Sequence, residues 1–116
     1  MKTINNELIT FFDVDSTIIF DTNEATIDTV TYLDVTGRAF LAKPHKVHID
    51  QMRKHKARGY TVIVWSGNGY QHAENVVKAL GLENYVDYCM SKAVKYWDDL
   101  EDANQILTSR VYLEDK

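Results

Sequence analysis

Apolar residues along this chain gather into short runs separated by polar punctuation. Leu8, Ile9, Phe11 and Phe12 open the pattern, an aromatic and β-branched run that reads as a strand buried on both faces. Tyr60 to Trp65 (Tyr-Thr-Val-Ile-Val-Trp) reads as a second buried strand, and Val86 to Met90 as a third. Between these two, Ala73, Val76, Val77 and Leu80 recur at i, i+3, i+4 and i+7. That is the stripe of an amphipathic helix, and Gly81 closes it. Thr29 to Val35 and Arg38 to Ala42 flank Thr36-Gly37 and predict a hairpin turning at Gly37. Pro44 suits the first turn of a helix over His45 to Arg58, with Ile49, Met52 and Ala57 inward and Gly59 ending it. Strand, helix, strand, helix, strand implies an α/β fold around a parallel sheet with right-handed crossovers. The hairpin interrupts this order after the first strand, where it could stand over the strand ends as a flap. The C-terminal part has two readings. Trp97, Leu100, Ala103 and Leu107 support a helix; alternatively Val94 to Trp97 is a short strand. Arg110 to Leu113 is expected to be a last strand, ending in Glu114-Asp115.

Polar groups fall where these strands should emerge. Asp13 and Asp15 follow the first run two residues apart, so in extended chain they point the same way. In an open α/β sheet that direction leads to the crevice beyond the strand ends, where ligands bind. At an effective dielectric near 20, two unit charges about 4 Å apart repel by roughly 4 kcal/mol. A hard, oxygen-seeking cation such as Mg²⁺ relieves that repulsion. The second strand ends at Ser66 and runs into Gly67-Asn68-Gly69, a hydroxyl with pliable backbone that could cradle phosphoryl oxygens. The third ends in Ser91-Lys92, an ammonium suited to an oxyanion, and Asp98-Asp99 follow. Carboxylates, hydroxyl and ammonium, each just after a predicted strand, suit phosphoryl transfer.

Composition narrows the field. A length of 116 residues predicts one domain, and the apolar and charged fractions, 45% and 26%, are those of an ordinary globular protein. The single cysteine, Cys89, excludes an internal disulfide and fits a reducing compartment. The first seven residues lack the apolar stretch of a signal peptide, and no segment has the roughly 20 apolar residues that span a bilayer. The expected location is the cytoplasm, with no membrane partner. A net charge of −4 argues against a general nucleic-acid binder. Lys43, Lys46, Arg53, Lys54, Lys56 and Arg58 nevertheless cluster in the predicted helix region against Asp50 alone. They read as a solvated helix face or, more sharply, as a steering patch for anions.

Several sites are excluded. A calcium loop from Asp13 needs glycine at its sixth position, where Ile18 stands. Gly67-Asn68-Gly69 starts like a dinucleotide fingerprint, but position 72 is histidine, and no Gly-x-x-x-x-Gly-Lys-Ser/Thr loop occurs. His45, His48, His55, His72 and Cys89 lack zinc spacing and read as structural. The tryptophans and tyrosines read as core and rim, with Tyr70 placed to border the pocket.

In these motifs the chain resembles the haloacid dehalogenase superfamily of phosphohydrolases. Asp13-Val14-Asp15-Ser16-Thr17 is similar to its first signature, Val62-Ile63-Val64-Trp65-Ser66 to its second, Lys92 to its third and Asp98-Asp99 to its fourth. The resemblance implies a three-layer, Rossmann-like, mostly parallel sheet, with the hairpin as flap and no cap domain. It implies a phosphatase acting on phosphate monoesters, with Asp13 as nucleophile forming an aspartyl-phosphate. Asp15 would be general acid and base, and Lys92 would pair with phosphate and nucleophile. Ser66, with Gly67 and Asn68, would bind the phosphoryl oxygens. Mg²⁺ would be held by Asp13, Asp15 through its carbonyl, and Asp98 or Asp99. Two departures stand out. Only five residues separate Lys92 from Asp98, too few for a helical crossover. Either the fold is pared down there, the favoured reading, or Lys92 opens a helix and Glu114-Asp115 is the metal pair. Without a cap, selectivity would come from the flap or from a neighbouring subunit over the open site. The expected substrate is a small phosphorylated metabolite or nucleotide; an open site also admits a nucleic-acid end. The rivals are a non-catalytic relative that binds a partner and a signalling receiver domain. The receiver fits poorly, because its acidic pair should be adjacent and its phosphorylated aspartate should follow the third strand.

Overall fold

The computed structural model describes residues 1–99 together with 101, 107 and 111. The first apolar run forms β1 (Ile9–Asp13), and the two later ones form β5 (Thr61–Ser66) and β6 (Tyr88–Ser91). These three make a parallel sheet in the order β1-β5-β6, with Phe11 opposite Ile63 and Asp13 opposite Trp65. Ser66 stands opposite Ser91 in the second pair, so all three strands end at one level. The fold is α/β, with a parallel sheet as predicted.

The crossover helices are α1 (Lys46–Ala57) and α2 (Tyr70–Ala79). Alternation along β5 sends Val62 and Val64 into one core with Ile49 and Met52 of α1 and Ala73, Val76 and Val77 of α2. Full burial of each Val, Ile or Met side chain among them is worth roughly 1.5–3 kcal/mol. The opposite sheet face carries Phe11 and Trp65, whose rings stack at 4.2 Å. Among the described residues the helices thus form one layer on the sheet.

The predicted hairpin is present as β3 (Val30–Leu33) and β4 (Ala39–Pro44), joined by β2 (Ile19–Asp21) in a separate antiparallel sheet of order β2-β4-β3. Three residues were too short a run to announce β2. Asp34 organises the turn as much as Gly37 does, accepting hydrogen bonds from the backbone N–H of Thr36 and Arg38 and from the Thr36 hydroxyl. These bonds, the Thr36 hydroxyl foremost, hold its carboxyl below the usual range. The hairpin is docked: Tyr32 joins the main core, and the Asn75 amide on α2 donates to the Leu33 carbonyl.

Two local expectations about α1 are corrected. Pro44 ends β4 instead of opening the helix, and His45 is the N-cap, its Nδ1 accepting the His48 N–H at 3.2 Å. Ala57 is exposed, and the third inward residue of α1 is His48. The basic helix is partly neutralised, with Lys46, Arg53 and Lys56 paired to Asp28, Asp50 and Asp87. Beyond β6, residues 92–99 contain neither the strand expected from Val94 to Trp97 nor a helix opened by Lys92. The expected helix through Leu100, Ala103 and Leu107 and the strand from Arg110 to Leu113 fall mostly outside the described residues. No helix among the described residues is long and apolar enough to cross a membrane.

Candidate active site

β1 ends at Asp13, and the chain then tightens. The N–H groups of Thr17 and Ile18 return to the Val14 carbonyl, while Ser16 takes a left-handed conformation at φ 61°. Val14 is fully buried between the two aspartates and anchors this loop in the core. Asp13 and Asp15 therefore leave the strand end toward different partners. Asp13 Oδ1 lies 3.3 Å from Lys92 Nζ, which follows β6 directly. Asp15 turns to the loop after β5 and to α2: Oδ2 accepts the Asn68 amide at 2.9 Å, and both oxygens face His72 Nε2 at 3.1 and 3.2 Å.

The loop between β5 and α2 is tied at each turn. Ser66 is 1% exposed, and its Oγ accepts the Asn68 N–H at 2.9 Å while keeping its own hydrogen to donate. Its carbonyl accepts the N–H of Gly69 and of Lys92, which joins the second and third motifs through one backbone oxygen. Gly67 and Asn68 are exposed, with the Asn68 side chain spent on Asp15. Gly69 caps α2 at φ 101° and ψ 162°, a region reserved for glycine. Ser91 Oγ accepts the N–H of Tyr70, and the exposed Tyr70 side chain stands at the loop rim.

Asp13, Asp15, Ser66, Gly67, Asn68 and Lys92 thus gather around the ends of three parallel strands. Asp13 and Asp15 offer the hard oxygens that Mg²⁺ accepts. Among the described residues no group of three His, Cys, Asp or Glu side chains forms a metal cage. Asp98 and Asp99 lie exposed on the segment after β6 and make no such group with Asp13 and Asp15, and Glu114 and Asp115 fall outside the described residues. The donor pair fits the ion in kind and would supply only part of a ligand shell.

The residue that motif reading passed over is His72. It is 7% exposed and meets Tyr32 edge-on, ring centroids 5.6 Å apart. Tyr32 donates its hydroxyl to Asp21 Oδ1, and burial together with that carboxylate pushes its pKa up. The signal was in the helix pattern. His72 stands four residues before Val76 on the apolar stripe, and a polar group placed there needs a buried partner. His45 and His48 are also buried and stack at 3.9 Å, with His48 Nδ1 donating to the Thr17 carbonyl; they brace the loop from below.

No family model, curated protein or solved structure matches the chain.

Proposed function

We propose that the protein is a Mg²⁺-dependent phosphohydrolase of the haloacid dehalogenase type, built on a capless Rossmann-like domain, acting on small phosphate monoesters. The observation that carries this reading is the meeting of Asp13 and Lys92 at 3.3 Å, from two strand ends that flank Ser66. A carboxylate beside an ammonium, with the Ser66 hydroxyl on the strand between them, suits attack on a phosphoryl group.

In the first half-reaction Asp13 Oδ bonds to phosphorus while the ester P–O bond breaks. The leaving oxygen keeps the electron pair and takes a proton from Asp15. In the second, water attacks phosphorus and gives its proton to Asp15. The P–O bond to Asp13 breaks, releasing inorganic phosphate and the free carboxylate. Lys92 offsets the charge of nucleophile and phosphoryl group, and Ser66 donates its hydroxyl hydrogen to a phosphoryl oxygen. Mg²⁺, held by Asp13, the Asp15 carbonyl and an acid following β6, would shield one anion from the other.

The test is release of p-nitrophenol from p-nitrophenyl phosphate by the full chain, with Mg²⁺ and with a chelator, beside Asp13→Asn. Metal-dependent turnover in the wild type and none in the variant is the expected result. Equal rates in both proteins would refute the nucleophile.

A further inference from the structure

His72 has no counterpart in the motifs that suggested the reaction, yet its side chain brings α2 into polar contact with Asp15. In the tautomer with its hydrogen on Nε2, His72 donates to Asp15, whose two oxygens lie 3.1 and 3.2 Å away. That hydrogen faces both oxygens of Asp15, while the Asn68 amide binds Oδ2 from the β5–α2 loop. Two donors on two elements therefore hold one carboxylate, which cannot swing about its own side chain without losing one of them. His72 is itself held. Its ring is buried, Tyr32 closes on it edge-to-face at 67°, and Tyr32 is tethered to Asp21 across the antiparallel sheet. Asp15 keeps 40% of its side-chain surface, so the carboxylate is fixed from behind and open in front.

We propose that His72 is a positioning residue that fixes Asp15 for proton delivery to the leaving oxygen. The inference rests on the phosphohydrolase reading. Misplacing a reacting group by about 1 Å can cost on the order of 10²-fold in rate. That loss depends on how much the leaving group needs its proton. An alkyl oxygen departs poorly without one, whereas p-nitrophenolate departs readily.

The experiment compares kcat on an alkyl phosphate and on p-nitrophenyl phosphate for the wild type, His72→Phe and His72→Gln. Phenylalanine keeps a ring against Tyr32 and removes the donor; glutamine keeps a donor and removes the ring. The alkyl-to-aryl rate ratio should fall about tenfold or more in His72→Phe and recover in His72→Gln. A nitrogen-detected NMR spectrum of the metal-free wild type should show His72 protonated at Nε2, with resonances that move in Asp15→Ala. An unchanged ratio in an active His72→Phe, or equal losses on both esters in both variants, would overturn the positioning role alone. A wild type that hydrolyses neither ester would overturn the phosphohydrolase reading and the inference with it.

Discussion

Lys92 and Asp13 meet at 3.3 Å, although each keeps more than a third of its side-chain surface exposed, 42% and 34%. A pair so open to water contributes at most about 1 kcal/mol to stability. Its loss should therefore cost the fold little, whatever it costs the proposed chemistry. Lys92 Nζ also sits 6.0 Å from the centre of the Trp65 ring, itself stacked on Phe11, so the ammonium rests on a rigid platform.

That contrast makes the first prediction. Lys92→Ala should leave the melting temperature within a few degrees of wild type, since less than about 1 kcal/mol is at stake. Phosphatase turnover should fall about 10²-fold or more, the usual cost of losing one charge-stabilising donor. Lys92→Arg should recover only part, because a planar guanidinium does not reproduce a point charge. Calorimetry beside steady-state kinetics checks both arms, and a large drop in melting temperature would move Lys92 from chemistry to scaffold.

Ser16 sets the second. It is exposed and holds φ 61°, while its N–H donates to the Ile19 carbonyl at 2.8 Å. A left-handed residue with a Cβ costs roughly 1–2 kcal/mol, and glycine avoids most of that at some entropic cost in the unfolded chain. Urea denaturation should show Ser16→Gly stabilised by up to about 1 kcal/mol and Ser16→Val destabilised by more than about 1 kcal/mol. The strain sits between Asp15 and Thr17, where the chain bends sharply to carry the two aspartates apart.

Much of the frame was legible because burial writes itself into periodicity. β5 lies within a residue of its apolar run, α2 starts three residues before its stripe and ends one short of it, and Gly59 and Gly81, both at positive φ, follow the helices they were expected to end. Pro44 misled because a proline suits a strand end as well as a first helical turn, and the adjacent His45 supplied the cap that its imidazole made possible. The site divided in the same way. Asp13, Ser66 and Lys92 were visible as polar residues at apolar strand ends, and the structure gathers them there. The separate partners of Asp13 and Asp15 were not, because the alternation that would align them stops where β1 stops. His72 was hidden because its partner is remote in sequence, and spacing rules find only local sets.

Asp87 gives a pH-dependent prediction at the opposite end of the sheet. Burial works against its charge, but the Lys56 ammonium at 2.6 Å and the Val62 N–H at 2.8 Å outweigh it and hold the carboxyl below its ordinary value of 3.8. A depressed folded-state pKa adds stability that is fully present above the unfolded value and is lost as pH falls through the folded one. Asp87→Asn should therefore cost about 1 kcal/mol near neutral pH, the worth of one charge-assisted hydrogen bond after discounting for solvent. The gap between variant and wild type should begin to close below about pH 4 and shrink further as pH falls through the lower folded-state value. Denaturation curves collected from pH 7 to pH 3 would show it. A constant gap would mean that shape, not charge, joins β5 to α1.

Two glycines separate backbone strain from function. Gly59 holds φ 88° just past α1, and a Cβ there would meet nothing within 4 Å. Gly59→Ala should cost about 1–2 kcal/mol through the backbone alone, with turnover per folded molecule unchanged. Gly69 holds φ 101° before α2, and its nearest neighbour for a Cβ is Ser91 Oγ at an ordinary 3.9 Å. Its penalty is again conformational, about 1–3 kcal/mol, but relaxation there breaks different bonds. Turning the peptide would draw the Tyr70 N–H from Ser91 and shift the first turn of α2, which carries His72 to Asp15. Gly69→Ala should therefore lose stability and also turnover, the latter by about 10-fold or more when normalised to folded protein. Denaturant titration paired with single-turnover rates distinguishes the two variants. Equal turnover in both would show that the start of α2 tolerates displacement and that the loop after β5 does not set the geometry of Asp15.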